Sequence, residues 1–510
     1  MRATPAVHAA VLLLVGSITT VGLAAQLVLT PRMLEEEIAR LKRGGAVARG
    51  EAAREIRKHG LQASRAIPAL IAVLDDDTAL KLVFDRENRN ELGSEVTPGS
   101  LAADALAAIG PPAIPVLEPV LASRSVHERL NAVRALGGMK VVTATPFLVK
   151  ALGDVTTAVR IAAARGLAES KDATAFEPLV GAMNDTDPKV RAEVIGLVWE
   201  SRDVRLVPAF IAALGDAVPD VRASAARRLV PFDDPRKGPP LIAALKDSDG
   251  DVRANAAEAL RGLKDPAVVD ALVLALSDSN ERARAGAATA LGNIGDRRAV
   301  DGLLKMLGAA TSDDDAFYAA RALGGIGDAR AVPALVPVMN RPSGTPGPAA
   351  ATALGKIRTR DAIDALVAAA ASPTANVRSN ALTALGETTD SRVLPILLEA
   401  LGDSDWYVRD AVTRAVVAKG DAAVDGLIEQ LGSTDEGRLT AASRALGEIT
   451  KASFGRDEQQ WRQWREANPP QVTTTALSSR SSTGMIIGAA ALVVAAVVGM
   501  MLARRRRTFD

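Results

Sequence analysis

Short apolar blocks alternate with amphipathic segments along most of the chain. Blocks such as AIPALIAVL (66–74) and VVDALVLAL (268–276) each lead through a polar turn into a segment such as DVRANAAEALRGL (251–263). In the amphipathic segments, apolar residues return every three or four positions, which is the spacing of one helix face. The pattern predicts pairs of short helices joined by tight turns, and it gives little indication of β-strands.

The helix pairs repeat every 31 residues, and an arginine marks the same position in the second helix of most pairs. These arginines are Arg129, Arg160, Arg191, Arg222, Arg253, Arg284, Arg378 and Arg409. Seven residues after each arginine stands an aliphatic residue that we expect in the core: Leu136, Leu167, Val198, Leu229, Leu260, Leu291, Leu385 and Val416. A repeat of this size predicts a stacked array in which each unit buries its apolar face against its neighbours. The predicted fold class is therefore all-α, a right-handed α-solenoid of about 12–13 hairpins over residues 31–450.

The third position of every apolar block is proline or an acidic residue. The prolines and acids are Pro68, Pro115, Pro146, Glu177, Pro208, Pro239, Asp270, Asp301, Pro333, Asp364, Pro395 and Asp425. Proline loses no needed N–H in the first turn of a helix, and a carboxylate there meets the positive end of the helix dipole. This position is therefore expected to lie in the first turn of the first helix.

An aspartate stands six residues before the repeating arginine in many units, and the two columns form a predicted structural ladder. Its members are Asp154, Arg160, Asp185, Arg191, Asp216, Arg222, Asp247, Arg253, Asp278, Arg284, Asp403 and Arg409. We expect each aspartate to act as the N-cap of the second helix. Each arginine is expected to reach loop aspartates and carbonyl groups in its own or the next unit, as a structural rather than a catalytic group.

These residues carry a family resemblance. The Pro-x-Leu block, the aspartate, the Val-Arg pair and the segment AATALGNIGD (287–296) together resemble HEAT repeats, most closely the subtype named after phycobilisome lyases. The resemblance covers roughly residues 46–450. It implies a binding scaffold, because most such repeats are binding scaffolds. We take the protein to be bacterial, and the apolar ends described below predict that it is membrane-anchored.

Three departures interrupt the regular pattern. Residues 78–97 are inserted between the two apolar segments of the first unit, and residues 340–348 (NRPSGTPGP) make a proline-glycine break. The units near Ala316 and Gly347 lack the arginine. Insertions in repeat arrays map to loops on one face and often touch ligands, but a tolerated surface loop is the simpler interpretation.

Apolar segments flank the array. Residues 1–30 are predicted to be either an uncleaved signal anchor or a cleaved signal peptide, because a bilayer span takes roughly 20 apolar residues and a signal peptide takes fewer. Residues 484–503 are free of charge and are followed by four arginines, which predicts a transmembrane helix with a basic cytoplasmic tail over 504–510. Both ends place the body outside the cytoplasm, in the periplasm or on the cell surface.

The segment after the array is rich in aromatic residues. Residues 451–468 contain Phe454, Trp461 and Trp464 and are predicted to form a cap that covers the last open apolar face, with a ligand platform as the alternative. Residues 469–483 are expected to be a flexible linker to the membrane helix.

Composition argues against several kinds of chemistry. The formal net charge is +1, which argues against nucleic-acid binding, and the absence of cysteine excludes disulfides, thiolate zinc sites and a cysteine nucleophile. The three histidines do not form a ligand set, and the glycine, serine and histidine motifs of common enzyme classes are missing. We therefore predict no catalytic, metal or cofactor site and no small-molecule substrate.

A second arginine column suggests a binding surface. Five residues after the first column stand arginines on the helices expected to line the concave face: Arg134, Arg165, Arg227, Arg321, Arg414 and Arg444. Such a stripe could hold an acidic peptide or anionic glycan through paired hydrogen bonds, although a solvated face balanced by local acids has the same pattern. The predicted function is a membrane-tethered protein-interaction scaffold of the cell envelope. The alternative is a lyase-like or oxidoreductase-like enzyme, or an accessory subunit of an envelope enzyme.

Overall fold

The structure is a computed structural model that describes residues 30–80, 96–198 and 202–470. These residues form twenty-seven α-helices, many of them preceded by a short 3-10 turn, and contain no strand. The all-α fold built from helical hairpins is thus confirmed. The chain divides into two compact units, Met1–Ala334 and Leu335–Asp510.

In the first unit, odd-numbered helices are the first helices of the hairpins and even-numbered helices are the second. The first helices are α1 (Pro31–Arg43), α3 (Ile67–Ile71), α5 (Ile114–Leu117), α7 (Thr145–Ala151), α9 (Phe176–Ala182), α11 (Val207–Ala213), α13 (Gly238–Ala244), α15 (Pro266–Ala275) and α17 (Val300–Ala309). The second helices are α2 (Ala46–Arg57), α4 (Pro98–Ile109), α6 (Val126–Gly138), α8 (Thr157–Glu169), α10 (Pro188–Val198), α12 (Pro219–Arg228), α14 (Gly250–Ala259), α16 (Glu281–Ile294) and α18 (Asp313–Ile326). Each second helix packs beside the second helices of the neighbouring hairpins.

The second unit continues the same alternation. The boundary between the units falls within α19 (Val332–Met339). The remaining helices are α20 (Pro346–Ile357), α21 (Arg360–Ala370), α22 (Ala375–Gly386), α23 (Val393–Ala400), α24 (Trp406–Val417), α25 (Val424–Gln430), α26 (Glu436–Thr450) and α27 (Glu458–Ala467).

The aliphatic column is the centre of the core. All eight residues seven positions after an arginine are buried, and Leu229, Leu260 and Leu291 have no exposed surface. Burying a side chain of this size stabilises the folded state by about 1.5–3 kcal/mol. The core prediction is confirmed, and it explains why the 31-residue period persists: the column must stay on the face turned to the neighbouring hairpin.

Small residues let adjacent second helices approach closely. A Cβ atom at Gly137 on α6 would lie 2.7 Å from the Cα atom of Gly166 on α8. That distance is below any normal carbon–carbon contact, so both positions require glycine while the helices keep this spacing. The alanine-rich composition has the same cause, as Ala163 and Ala164 on α8 are fully buried.

The proline and acidic positions lie in the first turn of the first helices, except at Asp270 and at Asp364, which lies beyond the first turn of α21 because that helix begins at Arg360. Pro208 lies in the first turn of α11 and Asp301 in the first turn of α17, as predicted. Asp270 lies beyond the first turn, because α15 begins earlier at Pro266. There the side chain of Asp265 caps the helix by accepting from the Ala267 N–H.

The two ends of the insertion meet. The Leu80 N–H donates to the Val96 carbonyl at 2.9 Å. The Leu80 side chain fills the space that a Cβ atom at Gly50 would occupy. Residues 81–95 lie outside the described residues.

Helix α27 packs against α25 at the end of the second unit. Trp461 is buried, and its Nε1–H donates to the Gly455 carbonyl at 2.9 Å, while Phe454 meets it edge to face. Arg465 forms ion pairs with Asp421 and Asp425 at 2.7 and 2.8 Å, which fix the helix on this face.

No single helix within the described ranges is long and apolar enough to cross a membrane. Helix α4 and residues 111–122 pass that test only together, and they are bent by 120° at the break between them. The predicted segments at 1–30 and 484–503, residues 471–483 of the linker and the basic tail lie outside the described residues, apart from Thr30.

Candidate interaction surface

Most ladder arginines hold two hairpins together. Arg160 donates from Nε and Nη2 to the two carboxylate oxygens of Asp185 in the next hairpin, at 2.8 and 2.9 Å. Its Nη1 donates to the backbone carbonyl of Asp154 in its own hairpin at 2.9 Å. The same arrangement joins Arg129 to Asp154, Arg191 to Asp216, Arg222 to Asp247 and Arg253 to Asp278, and in the second unit Arg378 to Asp403.

The ladder is nearly enclosed. The side chains of Arg160 and Asp185 are each 10% exposed. Hydrogen bonds from Arg191 lower the pKa of Asp216, and those from Arg222 lower the pKa of Asp247, each partly opposed by burial of the carboxyl group. These donors and acceptors are used within the repeat stack, so the ladder stabilises the array.

The aspartates of the ladder are not the N-caps that the sequence led us to expect. Asp154 accepts from the Thr156 N–H at 2.8 Å, and the N-cap of α8 is Thr156 itself. In the same way Asp247 precedes the N-cap Asp249 by two residues. The carboxylate of the ladder must face the arginine of the preceding hairpin, and the chain needs two more residues to turn into the helix.

The last ladder arginine of each unit differs from the others. Arg284 pairs with Asp315 at 2.9 and 2.8 Å, but Asp315 lies in the first turn of α18 rather than in the loop before it. Arg409 donates only to the carbonyls of Asp403 and Ser404, at 2.6 and 3.1 Å, and has no carboxylate partner among the described residues.

Arg49 on α2 is an earlier member that the sequence pattern missed. It binds Asp76 and the Gly44 carbonyl, as the later arginines bind their partners. The insertion at 78–97 places Arg49 out of the 31-residue register, so the period alone could not reveal it.

A second set of pairs lies at the starts of the first helices. An Asp-x-Arg motif recurs there, at 203–205, 234–236, 296–298, 328–330 and 390–392. In each motif the aspartate accepts from the backbone N–H and the side chain of the arginine two residues later. Arg330 also reaches Asp301 at 2.9 Å, and Arg392 reaches Asp364 at 2.8 Å, so the third-position acids link hairpins as well.

The second arginine column is exposed to solvent at all six positions. Arg134, Arg165, Arg227 and Arg321 lie on α6, α8, α12 and α18 of the first unit, and Arg414 and Arg444 lie on α24 and α26 of the second. In the second unit both arginines contact Asp410. In the first unit Arg165 pairs with Glu193 through Nε at 2.7 Å. The other three have no ion-pair partner within the described part of the chain.

Arg134 and Arg165 border a groove on the surface of the second helices. The groove has a volume of about 570 Å³ and lies across α2, α4, α6 and α8. Its apolar residues include Leu130 and Ile161, and its basic residues are Arg54, Arg57, Arg134 and Arg165. Two acidic residues, Asp104 and Glu169, also line it and contact Arg57 and Lys140 respectively. This groove combines apolar surface with an excess of positive charge.

A smaller groove of about 300 Å³ lies farther along the same surface, across α14, α16 and α18. It is bordered by Arg282, Tyr318 and Arg321, together with Glu258. Arg282 already pairs with Asp251 at 2.6 Å. This groove is smaller than the first and is less strongly basic.

Ligands for a metal ion do not converge in the described ranges. No group of three or more histidine and acidic residues is placed to hold a metal there. His127 lies 3.4 Å from a single carboxylate, that of Asp77, and the side chain of His59 is buried beside Glu55. The exposed arginines and the two grooves on the second helices can bind a ligand through complementary charge and shape.

The fold is similar to that of solved karyopherin structures. Kap121p matches with 14% identity and a TM-score of 0.54, covering 85% of this chain and 55% of that one. Kap121p bound to the extreme C-terminus of the protein phosphatase Cdc14p matches with 13% identity and a TM-score of 0.53, covering 88% and 57%. Kap95p, from a structure with RanGDP, matches with 15% identity and a TM-score of 0.50, covering 88% and 69%. The chain spans little more than half the length of Kap121p.

No curated protein matches the sequence. The HEAT-repeat family matches it in overlapping segments, at residues 114–187, 145–230, 176–249, 238–317, 309–376 and 368–447. Together these segments span well over half of the chain, with the ladder and most of both arginine columns inside them. The protein is therefore a member of the HEAT-repeat family.

Proposed function

We propose that this protein is a scaffold that binds a partner protein along the surface of its second helices. The observation that carries the proposal is a contrast between two sets of arginines. The ladder arginines of the first unit each hold a carboxylate in a neighbouring hairpin, whereas Arg134, Arg227 and Arg321 are exposed without an ion-pair partner in the described structure. Exposed arginines are suited to bidentate contacts with the carboxylates of another chain.

The mechanism is non-covalent. Stacked hairpins present one long surface, and many weak contacts along it add up to a specific complex. Kap121p, which has a similar fold, is described in complex with a protein segment, the extreme C-terminus of Cdc14p. That likeness supports a binding role for the fold.

We further propose that the scaffold is bacterial, belongs to the phycobilisome-lyase-type subgroup of these repeats and is tethered to the cell membrane. Residues 484–503 are apolar and are followed by Arg504, Arg505, Arg506 and Arg507, a pattern that holds the following tail in the cytoplasm. The array would then lie outside the cytoplasm. A reporter that is active only in the cytoplasm should be active when it is fused after Asp510, and one that is active only outside the cytoplasm should be inactive there. Activity of the second reporter alone would refute the topology.

Crosslinking in intact cells tests the scaffold itself. A photoreactive amino acid is placed on the second helices, at Arg227 or Arg321. For comparison it is placed at the exposed Leu274 on the first helix α15, or at the exposed Val204 in the turn that leads into α11. The proposal predicts a discrete crosslinked species from the second-helix positions only. Equal crosslinking from both sets, or none from either, would count against it.

A further inference from the structure

We propose that the groove across α2, α4, α6 and α8 binds an acidic segment of a partner protein in which an aliphatic residue lies between carboxylates. The proposal rests on the scaffold function and identifies where, and by what chemistry, the partner is recognised. It depends on the juxtaposition of Leu130 and Ile161 with Arg134 and Arg165 in one groove.

The two apolar residues and the two arginines are placed by helix geometry. Leu130 and Arg134 are four residues apart on α6, and Ile161 and Arg165 are four residues apart on α8. Residues at this spacing lie one above the other on the same helix face. Because α6 and α8 pack side by side, the four side chains form a patch with aliphatic surface at one end and guanidinium groups at the other.

This combination does not recur in the regular part of the array. Leu130 and Ile161 occupy the same position in two successive 31-residue repeats. The next four repeats have alanine at this position: Ala192, Ala223, Ala254 and Ala285. The corresponding members of the arginine column are Gly196, Arg227, Glu258 and Thr289. Large aliphatic residues and arginines therefore coincide on adjacent hairpins only at α6 and α8. The repeat itself does not require large residues here, since alanine suffices elsewhere.

The arginines around the groove keep donors for a ligand. Arg54 and Arg134 have no ion-pair partner among the described residues, and Arg165 uses only Nε to contact Glu193. Arg57 is exposed, although it contacts Asp104 at 3.2 Å. Guanidinium groups bind carboxylates in a fork. Arg54 lies on α2 and Arg134 on α6, on either side of α4, whose Leu101 also lines the groove, so the groove suits acidic residues on both sides of an aliphatic one.

The size and charge of the groove suit a short peptide segment rather than a polyanion. Ligand pockets are usually roughly 300–1,000 Å³, and the volume here is about 570 Å³. The formal net charge of the whole chain is +1, so the basic character is local. A nucleic acid would instead need a long basic track.

Peptide binding to the full chain in mild detergent tests the proposal. Three fluorescent peptides of equal length are compared by anisotropy: one of alternating glutamate and leucine, one with serine in place of leucine, and one with lysine in place of glutamate. A single-stranded oligonucleotide of equal charge is the fourth probe. We expect the glutamate–leucine peptide to bind most tightly, and equal or tighter binding by the serine peptide or the oligonucleotide would overturn the proposal.

Substitutions then locate the site. The double variant R134Q/R165Q is expected to weaken binding of the glutamate–leucine peptide on the order of tenfold or more, because charged hydrogen bonds are lost. The double variant L130S/I161S should weaken binding of the leucine peptide and leave the weaker binding of the serine peptide unchanged. All four side chains are at least partly exposed, so circular dichroism should show the helical content of the wild type.

Arg227→Gln is the matched control, since Arg227 stands in the same column but has Ala223, not a large aliphatic residue, four positions before it on α12. If R227Q weakens the peptide as much as R134Q/R165Q does, the groove is not the site. In that case the scaffold proposal still stands if second-helix crosslinks persist in cells. If those crosslinks are also absent, both proposals fail.

Discussion

Arg191 and Asp216 join two neighbouring hairpins through parallel hydrogen bonds of 2.6 and 2.7 Å. Their side chains are 13% and 10% exposed, so water replaces these bonds poorly when one partner is removed. We expect Arg191→Leu to lower the free energy of unfolding by about 1.5–3 kcal/mol, the range for a lost hydrogen bond to a charged group. Urea denaturation followed by circular dichroism measures the change.

The control for this prediction is an exposed pair in the same unit. Arg236 contacts Asp234 at 2.6 Å, but its side chain is 62% exposed. Exposed ion pairs contribute little, so Arg236→Leu should shift the denaturation midpoint much less than Arg191→Leu. Equal shifts would mean that the ladder is not a special source of stability.

The ladder also predicts loss of stability in acid. Arginine hydrogen bonds lower the pKa values of Asp216 and Asp247 below the ordinary value of 3.8. In the unfolded chain these carboxyl groups take up protons near pH 3.8, whereas in the folded chain they do so only at lower pH. Their contribution to stability is therefore complete above pH 3.8 and is lost as the pH falls through the folded pKa values.

The test compares thermal midpoints across this range. The wild type should lose stability more steeply below pH 3.8 than the double variant D216N/D247N, which has two fewer titrating groups. The variant is expected to start from a lower midpoint at neutral pH. Parallel curves would show that these two aspartates do not contribute to the acid transition.

The periodic part of the fold could be predicted from the sequence because a single period governs it. A hairpin that buries its apolar face against its neighbours must repeat the same core position, and Leu136 and its successors do so. The role of Arg49 and the N-caps of the second helices could not be predicted from the period, because each depends on local structure. An insertion moves Arg49 out of register, and an extra turn places the N-cap at Thr156 instead of Asp154.

The groove was only half visible in the sequence. The arginine column includes Arg134 and Arg165, and their role in binding stays a prediction. The apolar partners Leu130 and Ile161 stand at a position where the repeat usually has alanine, so a comparison of columns could have found them. Arg54 could not have been placed there, because the insertion hides its relation to the later hairpins.

Because Lys237 is buried, we expect the free energy of unfolding to rise as the pH becomes alkaline. This lysine has no exposed surface, and its Nζ donates to the carbonyl groups of Leu229, at 3.0 Å, and Phe232 at the end of α12. Burial lowers its pKa from 10.5 to about 8, assisted by the positive charge of Arg261 and opposed by Asp233 and Asp234. Between these two values the unfolded chain keeps the proton and the folded chain does not, so stability rises with pH.

Urea midpoints measured between pH 8 and pH 10.5 test this directly. The wild type should gain stability relative to Lys237→Met, which retains the chain length without the titrating group. Lys246→Met, at an exposed lysine of the next loop, is the control and should follow the wild type. A wild type and a K237M variant with parallel pH profiles would contradict the assignment.

The close approach of Gly137 and Gly166 gives the last prediction. A methyl group at Gly137 would lie 2.7 Å from the Cα atom of Gly166, and that atom belongs to backbone that cannot move without shifting α8. We expect Gly137→Ala to destabilise the protein by about 1–3 kcal/mol, as overpacking does, even though alanine favours helix. Gly196→Ala on α10 is the matched control, because a Cβ atom there meets nothing within 4 Å. It should be neutral or stabilising by up to about 1 kcal/mol, the difference in helix propensity. If both variants gain stability, the two helices can separate without cost, and the glycine pair does not set their spacing.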